Sequence, residues 1–464
     1  TMTEQLKLKL NDSKATRWGA LVIVAFTMMA AYYVNDVVAP LKTMLETDLA
    51  WSSTDFGFFT GGYSFLNVFF LMLIWGGLIL DRFGIRFTGK LATILMVGGT
   101  ALEYYAMTGL AGADATLFGI NEIFGYKTGV FVAFAGYSIF GVGAEVAGIT
   151  VSKIIAKWFK GKELATAMGV QVALARIGSQ AGYAVAIPLA RAFGISTPVL
   201  LGLVLLLGGM IAFFIFAVMD KKLDKQMEAA AIAAGTEDEE EKFSFKDVKN
   251  ILVNPGFWLI ALLCVLFYSC VFPFQKFASE LMIIKYGINE NVAGTFAGLP
   301  ALGALILTPV FGGFIDKRGK SASIMLLGSA MLICVHFIYA IPDINYWLVA
   351  IVLMIILGIA FSLVPSAMWP AGAKIFPVSQ LGTAYALIFF IQNIGLWGIP
   401  TLIGWVLDAY CISGKKPDGT NMYDYTVPMC IFTGIACLSL IVALLLKKAD
   451  KKYGYKLEEP NIQK

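Results

Sequence analysis

The stretch 76-GGLILDRFGIR-86 returns later in the chain as 312-GGFIDKRGK-320, so that Gly77, Asp81 and Gly84 answer to Gly312, Asp316 and Gly319. Each copy follows a long apolar run and is followed by another. Charged residues set between glycines at such a junction read as a tight, solvated turn joining two buried segments. The repetition implies two halves of like construction.

Working outward, 58% of the 464 residues are hydrophobic and 14% are charged, with a mean hydropathy of +0.77. Water-soluble domains carry about 25% charged residues, so a soluble globule is excluded. Apolar runs long enough to cross about 30 Å of hydrocarbon number twelve. They lie near 17–39, 56–80, 87–110, 128–156, 164–190, 197–219, 256–280, 292–314, 322–341, 344–368, 380–407 and 426–447. The expected class is an all-α membrane protein. The first run is too long for a signal-peptide core and is expected to stay.

Lysine and arginine orient the chain. Of the 35, seven fall at one set of helix ends (Lys42, Lys127, Arg191, Lys276, Lys285, Lys415, Lys416), Arg176 lies inside a run, and the remaining 27 flank the other ends with both termini. Both termini are therefore expected to be cytoplasmic. The net charge of +4 sits where topology and anionic lipid account for it, and calls for no nucleic acid. The six cysteines show no disulfide framework and no metal spacing; Cys411 is expected to be exposed. No nucleophile–base pair or cofactor motif appears, so neither enzyme nor cofactor is expected.

The repeat divides the chain into a cytoplasmic N-terminus (1–16), a six-helix half (17–219), a charged, Ala-rich linker (220–250), a second six-helix half (251–447) and a tail (448–464). The linker leaves room for an amphipathic helix before helix 7. This layout resembles the major facilitator superfamily, and the Gly-x-x-x-Asp-Arg-x-Gly element resembles that superfamily's loop signature. The resemblance implies alternating exposure of a central site between the halves. Gly77, Asp81, Arg82, Gly84, Arg86, Asp316 and Gly319 are the expected gating set: their charges can hold helix ends together and release them as the halves rock. The plainer reading, topology alone, also serves for Lys90, Lys317, Arg318 and Lys320.

Two charges stand in apolar surroundings: Glu145 in 141-GVGAEVAGIT-150 and Arg176 in 172-VALARIGSQA-181. Both lie about 15 residues, or 23 Å of helix, from the middle of the turn 157-KWFKGKE-163, and so at one depth on antiparallel neighbours. An ionisable group that deep costs at least about 2.5 kcal/mol unless it meets a partner or a watery cavity. One reading is a mutual salt bridge that ties two helices. The other is a site offering a carboxylate to an ammonium and a guanidinium to a carboxylate. A dipeptide separates its end charges by about 7 Å, which suits two side chains reaching from adjacent helices. Arginine's fork is the better carboxylate clamp.

Here the residues resemble a narrower family. The run 143-GAEVAGITVSKIIAKWFKGKELATAMGVQVALARIGS-179 is similar to the corresponding region of the lysosomal dipeptide uniporters of the superfamily. So are 35-NDVVAPLKTMLETD-48, 63-YSFLNVFF-70, 271-VFPF-274, 357-LGIAFSLVPSAMWP-370 and 380-QLGTAYALIFFIQNIGLW-397. The resemblance implies proton-independent dipeptide transport, with Glu145 taking the amine and Arg176 the carboxylate. It also implies a path lined by helices 1, 2, 4, 5, 7, 8, 10 and 11, where Tyr33, Asp36, Tyr63, Asn67, Tyr268, Trp369, Gln392 and Asn393 are substrate-contact candidates or, equally, interhelical contacts. A monomer in the bilayer is expected, with a small-molecule substrate. Compact loops and a short N-terminus point to a bacterial plasma (inner) membrane. His336 is expected to be structural, Glu103 interfacial, and Lys153 and Lys157 to reach the cytoplasmic interface. Two other classes stay open: a carrier of small organic anions using Arg176, and a non-transporting receptor. The Glu-x-x-Glu-Arg element of proton-driven peptide symporters is absent from 30-AAYYVND-36.

Overall fold

In lipid a backbone satisfies its polar groups within one segment or not at all, and the apolar runs accordingly fold as helices. The computed structural model describes residues 9–160, 162–235 and 244–461. The parts of the expected N-terminus, linker and tail at 1–8, 236–243 and 462–464 lie outside the described residues. The first half contains α1 (Lys14–Val37), α2 (Lys42–Leu49), α3 (Ser53–Phe69), α4 (Met72–Thr108), α5 (Thr128–Trp158), α6 (Leu164–Phe193) and α7 (Thr197–Ala234). A short amphipathic helix, α8 (Phe245–Leu252), precedes the second half. There follow α9 (Pro255–Ser269), α10 (Phe272–Ile284), α11 (Glu290–Ala297), α12 (Leu299–Arg318), α13 (Ser321–Ala340), α14 (Trp347–Ile375), α15 (Val378–Tyr410) and α16 (Thr426–Tyr453). Two small hairpins, β1–β2 (Glu122–Ile123, Tyr126–Lys127) and β3–β4 (Ile412–Lys415, Asn421–Tyr423), close loops at the face opposite the chain ends.

Among the described residues nine helical segments are long and apolar enough to cross a membrane, and α3 with α4, bent by 58° at their junction, pass together. Length and apolarity alone thus do not return the twelve expected spans. The shortfall falls at α4, which joins the ends of two expected runs and reverses at Gly84 (φ 80°, ψ 178°), and at α6, where Gln171, Arg176, Ser179, Gln180 and Arg191 lower the apolarity. Helix α7 also continues to Ala234, 15 residues beyond the expected boundary at 219, because Asp220 and Asp224 find cationic partners there. Two burial expectations are overturned. Cys411 is buried beneath the β3–β4 hairpin, where its carbonyl accepts the Asp424 N–H at 2.8 Å. Glu103 is 0% exposed, enclosed between α4 and α5 where Gly136 lets the two backbones approach, with no hydrogen-bond partner for either oxygen.

The helices pack α1 on α6 and α7, and α4 on α5, in the first half, with α13 on α16 and α12 on α14 in the second. Between the halves α3 lies along α15, and α6 against α11 and α12. Among the described residues, the recorded polar contacts joining the halves cluster at the face opposite the chain ends. Lys42 Nζ meets Glu280 at 2.7 Å, Lys276 meets Asp36 at 3.2 Å, and the Thr54 hydroxyl donates to Asp408 at 2.6 Å. There too the α3 and α15 backbones touch: a methyl carbon at Gly57 would lie 2.5 Å from the Pro400 carbonyl oxygen and 2.9 Å from Gly404 Cα. At the terminal face, where the chain ends lie, an added carbon at Gly77, Gly312 or Gly313 would meet nothing within 4 Å. The halves are joined on one face, while Gly77, Gly312 and Gly313 have open space beside them at the other.

The two repeated glycines differ in their surroundings. Gly84 (φ 80°) has open space at its Cβ position, whereas a carbon added at Gly319 (φ 74°) would lie 2.5 Å from the Glu458 carbonyl oxygen of the tail. Positive φ costs any other residue about 1–3 kcal/mol at such positions. Gly319→Ala therefore adds a clash to that strain and should lower the melting temperature in detergent by several degrees more than Gly84→Ala. Equal losses would show that the tail yields freely.

Candidate substrate-binding site

Helix α5 ends at Trp158 and α6 begins at Leu164, so Glu145 and Arg176 stand 13 and 12 residues from the turn, at depths of about 20 Å and 18 Å. Both are half-buried. The Tyr63 hydroxyl, from α3, donates to Glu145 Oε1 at 2.9 Å. Tyr63 is itself held by Tyr137 and Phe140 of α5, with ring centroids at 5.7 and 6.1 Å. The Arg176 guanidinium carbon lies 4.9 Å from the ring centre of Phe361 on α14 and 5.9 Å from that of Tyr32 on α1. Among the described residues no carboxylate lies within ion-pair distance of Arg176, and no cation within that distance of Glu145. The mutual salt bridge is therefore absent. Two groups of opposite charge type stand at similar depth, each beside aromatic side chains and, among the described residues, neither with a counter-charge at ion-pair distance.

The other candidates divide. Tyr268 and Trp369 come together, the indole N–H donating to the phenol oxygen at 3.1 Å. Asn393 donates to the Phe389 carbonyl at 2.8 Å and keeps an unpartnered amide oxygen, beside the buried Gln392 on α15. Asn67 is buried with neither amide atom partnered. Tyr33 instead spends its hydroxyl on the Pro198 carbonyl at 2.9 Å, joining α1 to α7. Asp36 binds Lys276 and the Ser179 hydroxyl, and so belongs to the closure of the opposite face. His336 is packed and bonded to the Cys270 carbonyl at 2.9 Å, as a structural residue would be.

Sequence reading missed Lys276, Lys42, Glu46 and Glu280 as a set. Lys42 is buried, bonding Glu46, Glu280 and the Ser53 hydroxyl, while Tyr425 donates to Glu280 at 2.8 Å. The signal was present as two Lys-x-x-x-Glu pairs, 42/46 and 276/280, one in each half. Tyr32 and Phe361 carried no such signal, since aromatic residues are common throughout.

At the terminal face, among the described residues, the recorded bonds of the loop charges fall within their own half. Arg86 binds Asp220 at 2.9 Å and also Asp224, Lys157 binds both, and Lys153 lies 3.9 Å from Asp81. Arg82 lies over Phe83. Asp316 accepts from Asn461 at 2.9 Å, and the tail backbone at Leu457 and Glu458 caps the start of α13. On the turn between α5 and α6, two hydrogen bonds from Arg17 hold the Glu163 carboxyl down to about 2.

The sequence model of the Major Facilitator Superfamily matches residues 21–400. The chain belongs to the major facilitator superfamily. Among curated superfamily members it is similar to the lysosomal dipeptide transporter MFSD1 of Homo sapiens, with 29% identity over 454 residues covering 95% of this chain and 88% of that one. The Gallus gallus protein of the same name is 33% identical over 287 residues, 59% of this chain and 62% of that one. The superfamily fold recurs in the nucleoside transporter NupG (TM-score 0.68, 12% identity, covering 92% and 98% of the two chains). It recurs also in the peptide transporter POT (TM-score 0.67, 14% identity, covering 95% of each). As a superfamily member the chain is an integral membrane transporter.

Proposed function

We propose that this chain is an alternating-access uniporter of dipeptides or similarly small zwitterions, in which Glu145 takes the amine and Arg176 the carboxylate. The observation that carries this is the unneutralised pair: a guanidinium without a carboxylate and a carboxylate without a cation, at one depth in the membrane. A charge so placed is retained only where a ligand or water completes it. The names of the similar curated relatives, all dipeptide transporters, support the same substrate class. The rocking halves hinge on the polar contacts of the opposite face, while Gly77, Asp81, Arg82, Gly84, Arg86, Asp316 and Gly319 mark the moving ends of the other. In this reading twelve spans cross the membrane, dividing α4 at Gly84 and counting α6, and the terminal face is cytoplasmic. A monomer in a bacterial inner membrane fits the compact loops.

A zwitterion with no net charge, carried without a coupling ion, responds to its own gradient alone. In proteoliposomes, uptake of a neutral dipeptide should change less than twofold when the pH difference or the potential across the membrane is clamped to zero. Exchange against trapped dipeptide should accelerate it. Uptake that collapses with the pH difference would make the protein a symporter.

A further inference from the structure

The two ends of the zwitterion are read by the first half, which leaves the chemistry of the second half unassigned. From the depth of Arg176 toward the terminal face the second half presents rings. Tyr268 stacks on Phe272 with centroids 5.4 Å apart and planes within 3°, and Phe272 meets Phe361 edge-on at 5.4 Å. Trp369 stacks on Phe389 at 5.0 Å and lies against Tyr385 at 5.7 Å. The polar atoms of this group bond one another: the Trp369 N–H goes to the Tyr268 oxygen, and the Tyr385 hydroxyl to the Trp369 carbonyl. What remains for a ligand is ring surface and the buried Tyr268 O–H. Phe272, Trp369, Tyr385 and Phe389 are each half-buried, whereas Phe361 is enclosed and touches Arg176. The helices that carry this wall hold no charge at that depth. The only charged residues of α14 and α15 are Lys374 and Asp408, near opposite faces, and Lys276 and Glu280 of α10 are engaged in the closure.

We infer that this wall is an apolar subsite for one side chain of the dipeptide, that it selects aromatic and large aliphatic residues, and that the side chain it takes is the C-terminal one. The inference rests on the zwitterion reading above. The position follows from adjacency: the wall adjoins Arg176 through Phe361, whereas Glu145 bonds Tyr63, which packs on Tyr137 and Phe140 of the first half. A carboxylate held by Arg176 brings the Cα next to it, and the side chain on that Cα, against Phe272, which meets the enclosed Phe361 edge-on. A ring buried on rings gains from area and from offset stacking.

The test is a binding titration of the purified wild-type protein with Gly-Gly, Gly-Phe, Phe-Gly and Gly-Lys, repeated for Phe389→Ala and Phe272→Ala. Gly-Phe should bind about tenfold more tightly than Gly-Gly, and more tightly than Phe-Gly or Gly-Lys. In each variant the Gly-Gly to Gly-Phe ratio of Kd should fall toward one; bound Gly-Gly reports that the variant is folded. Equal Kd for Gly-Gly and Gly-Phe in wild type would overturn the subsite. A preference for Phe-Gly would overturn its position, and a preference for Gly-Lys its apolar chemistry. Failure of all four dipeptides to bind would overturn the zwitterion reading instead.

Discussion

Arg176→Ala should abolish dipeptide binding while the protein still purifies folded. In wild type the guanidinium carries no internal ion pair, so its removal strands no buried carboxylate and leaves the Phe361 and Tyr32 rings in contact with a smaller side chain. Folding loses little. The ligand's carboxylate, by contrast, would enter without its counter-charge, a loss on the order of 2–5 kcal/mol, or about thirtyfold to several thousandfold in Kd. Arg176→Lys should restore only part, because a point charge cannot donate the two parallel hydrogen bonds of the fork. Calorimetric titration checks both, with the melting temperature of the unliganded protein as the folding control. Unchanged affinity in the alanine variant would remove Arg176 from the site.

The second large effect separates a zwitterion carrier from an organic-anion carrier. Glu145→Gln keeps the shape of the side chain and an acceptor for the Tyr63 hydroxyl, but removes the charge. A free dipeptide should then lose about 2–5 kcal/mol of binding. N-acetylating the dipeptide should harm wild-type binding comparably and harm the variant little further, so the two changes should be non-additive in a double-mutant cycle. An anion carrier would behave in the opposite sense, since removing an acid close to the anion site leaves uptake intact or raises it. Full additivity of the two changes would place the amine elsewhere.

The fold was legible in the sequence wherever one residue pattern sufficed. The loop repeat pointed to two halves of like construction, and the isolation of Glu145 and Arg176 in apolar runs singled them out as the candidate site. What escaped was relational. Nothing in 30-AAYYVND-36 distinguishes Tyr33, which is tied to Pro198, from Tyr32, which covers Arg176, because the difference is which face of α1 each occupies. Asp36 was read as a cavity residue, but its partners Lys276 and Ser179 come from α10 and α6, far away in sequence. Glu103 beside two tyrosines resembled an interfacial cluster, and only the close approach of α4 and α5 at Gly136 encloses it. A count by length and apolarity alone omits α6, the helix that carries Arg176, because Gln171, Arg176, Ser179, Gln180 and Arg191 lower its apolarity.

The touching backbones of α3 and α15 bear on how such a machine can be regulated. Where Gly57 meets Pro400 and Gly404, hydrogen is the only substituent that fits, and attraction between surfaces so matched is short in range. A gap of 0.5–1 Å already forfeits about a quarter to a half of it. In the alternating-access reading proposed above, intermediate openings would then have no minimum of their own: the face would be shut or released. A lipid, a ligand or a substitution acting on this protein would leave the shape of each state as it is and alter the fraction of time spent in each. Its effect would be read as an occupancy, never as an angle.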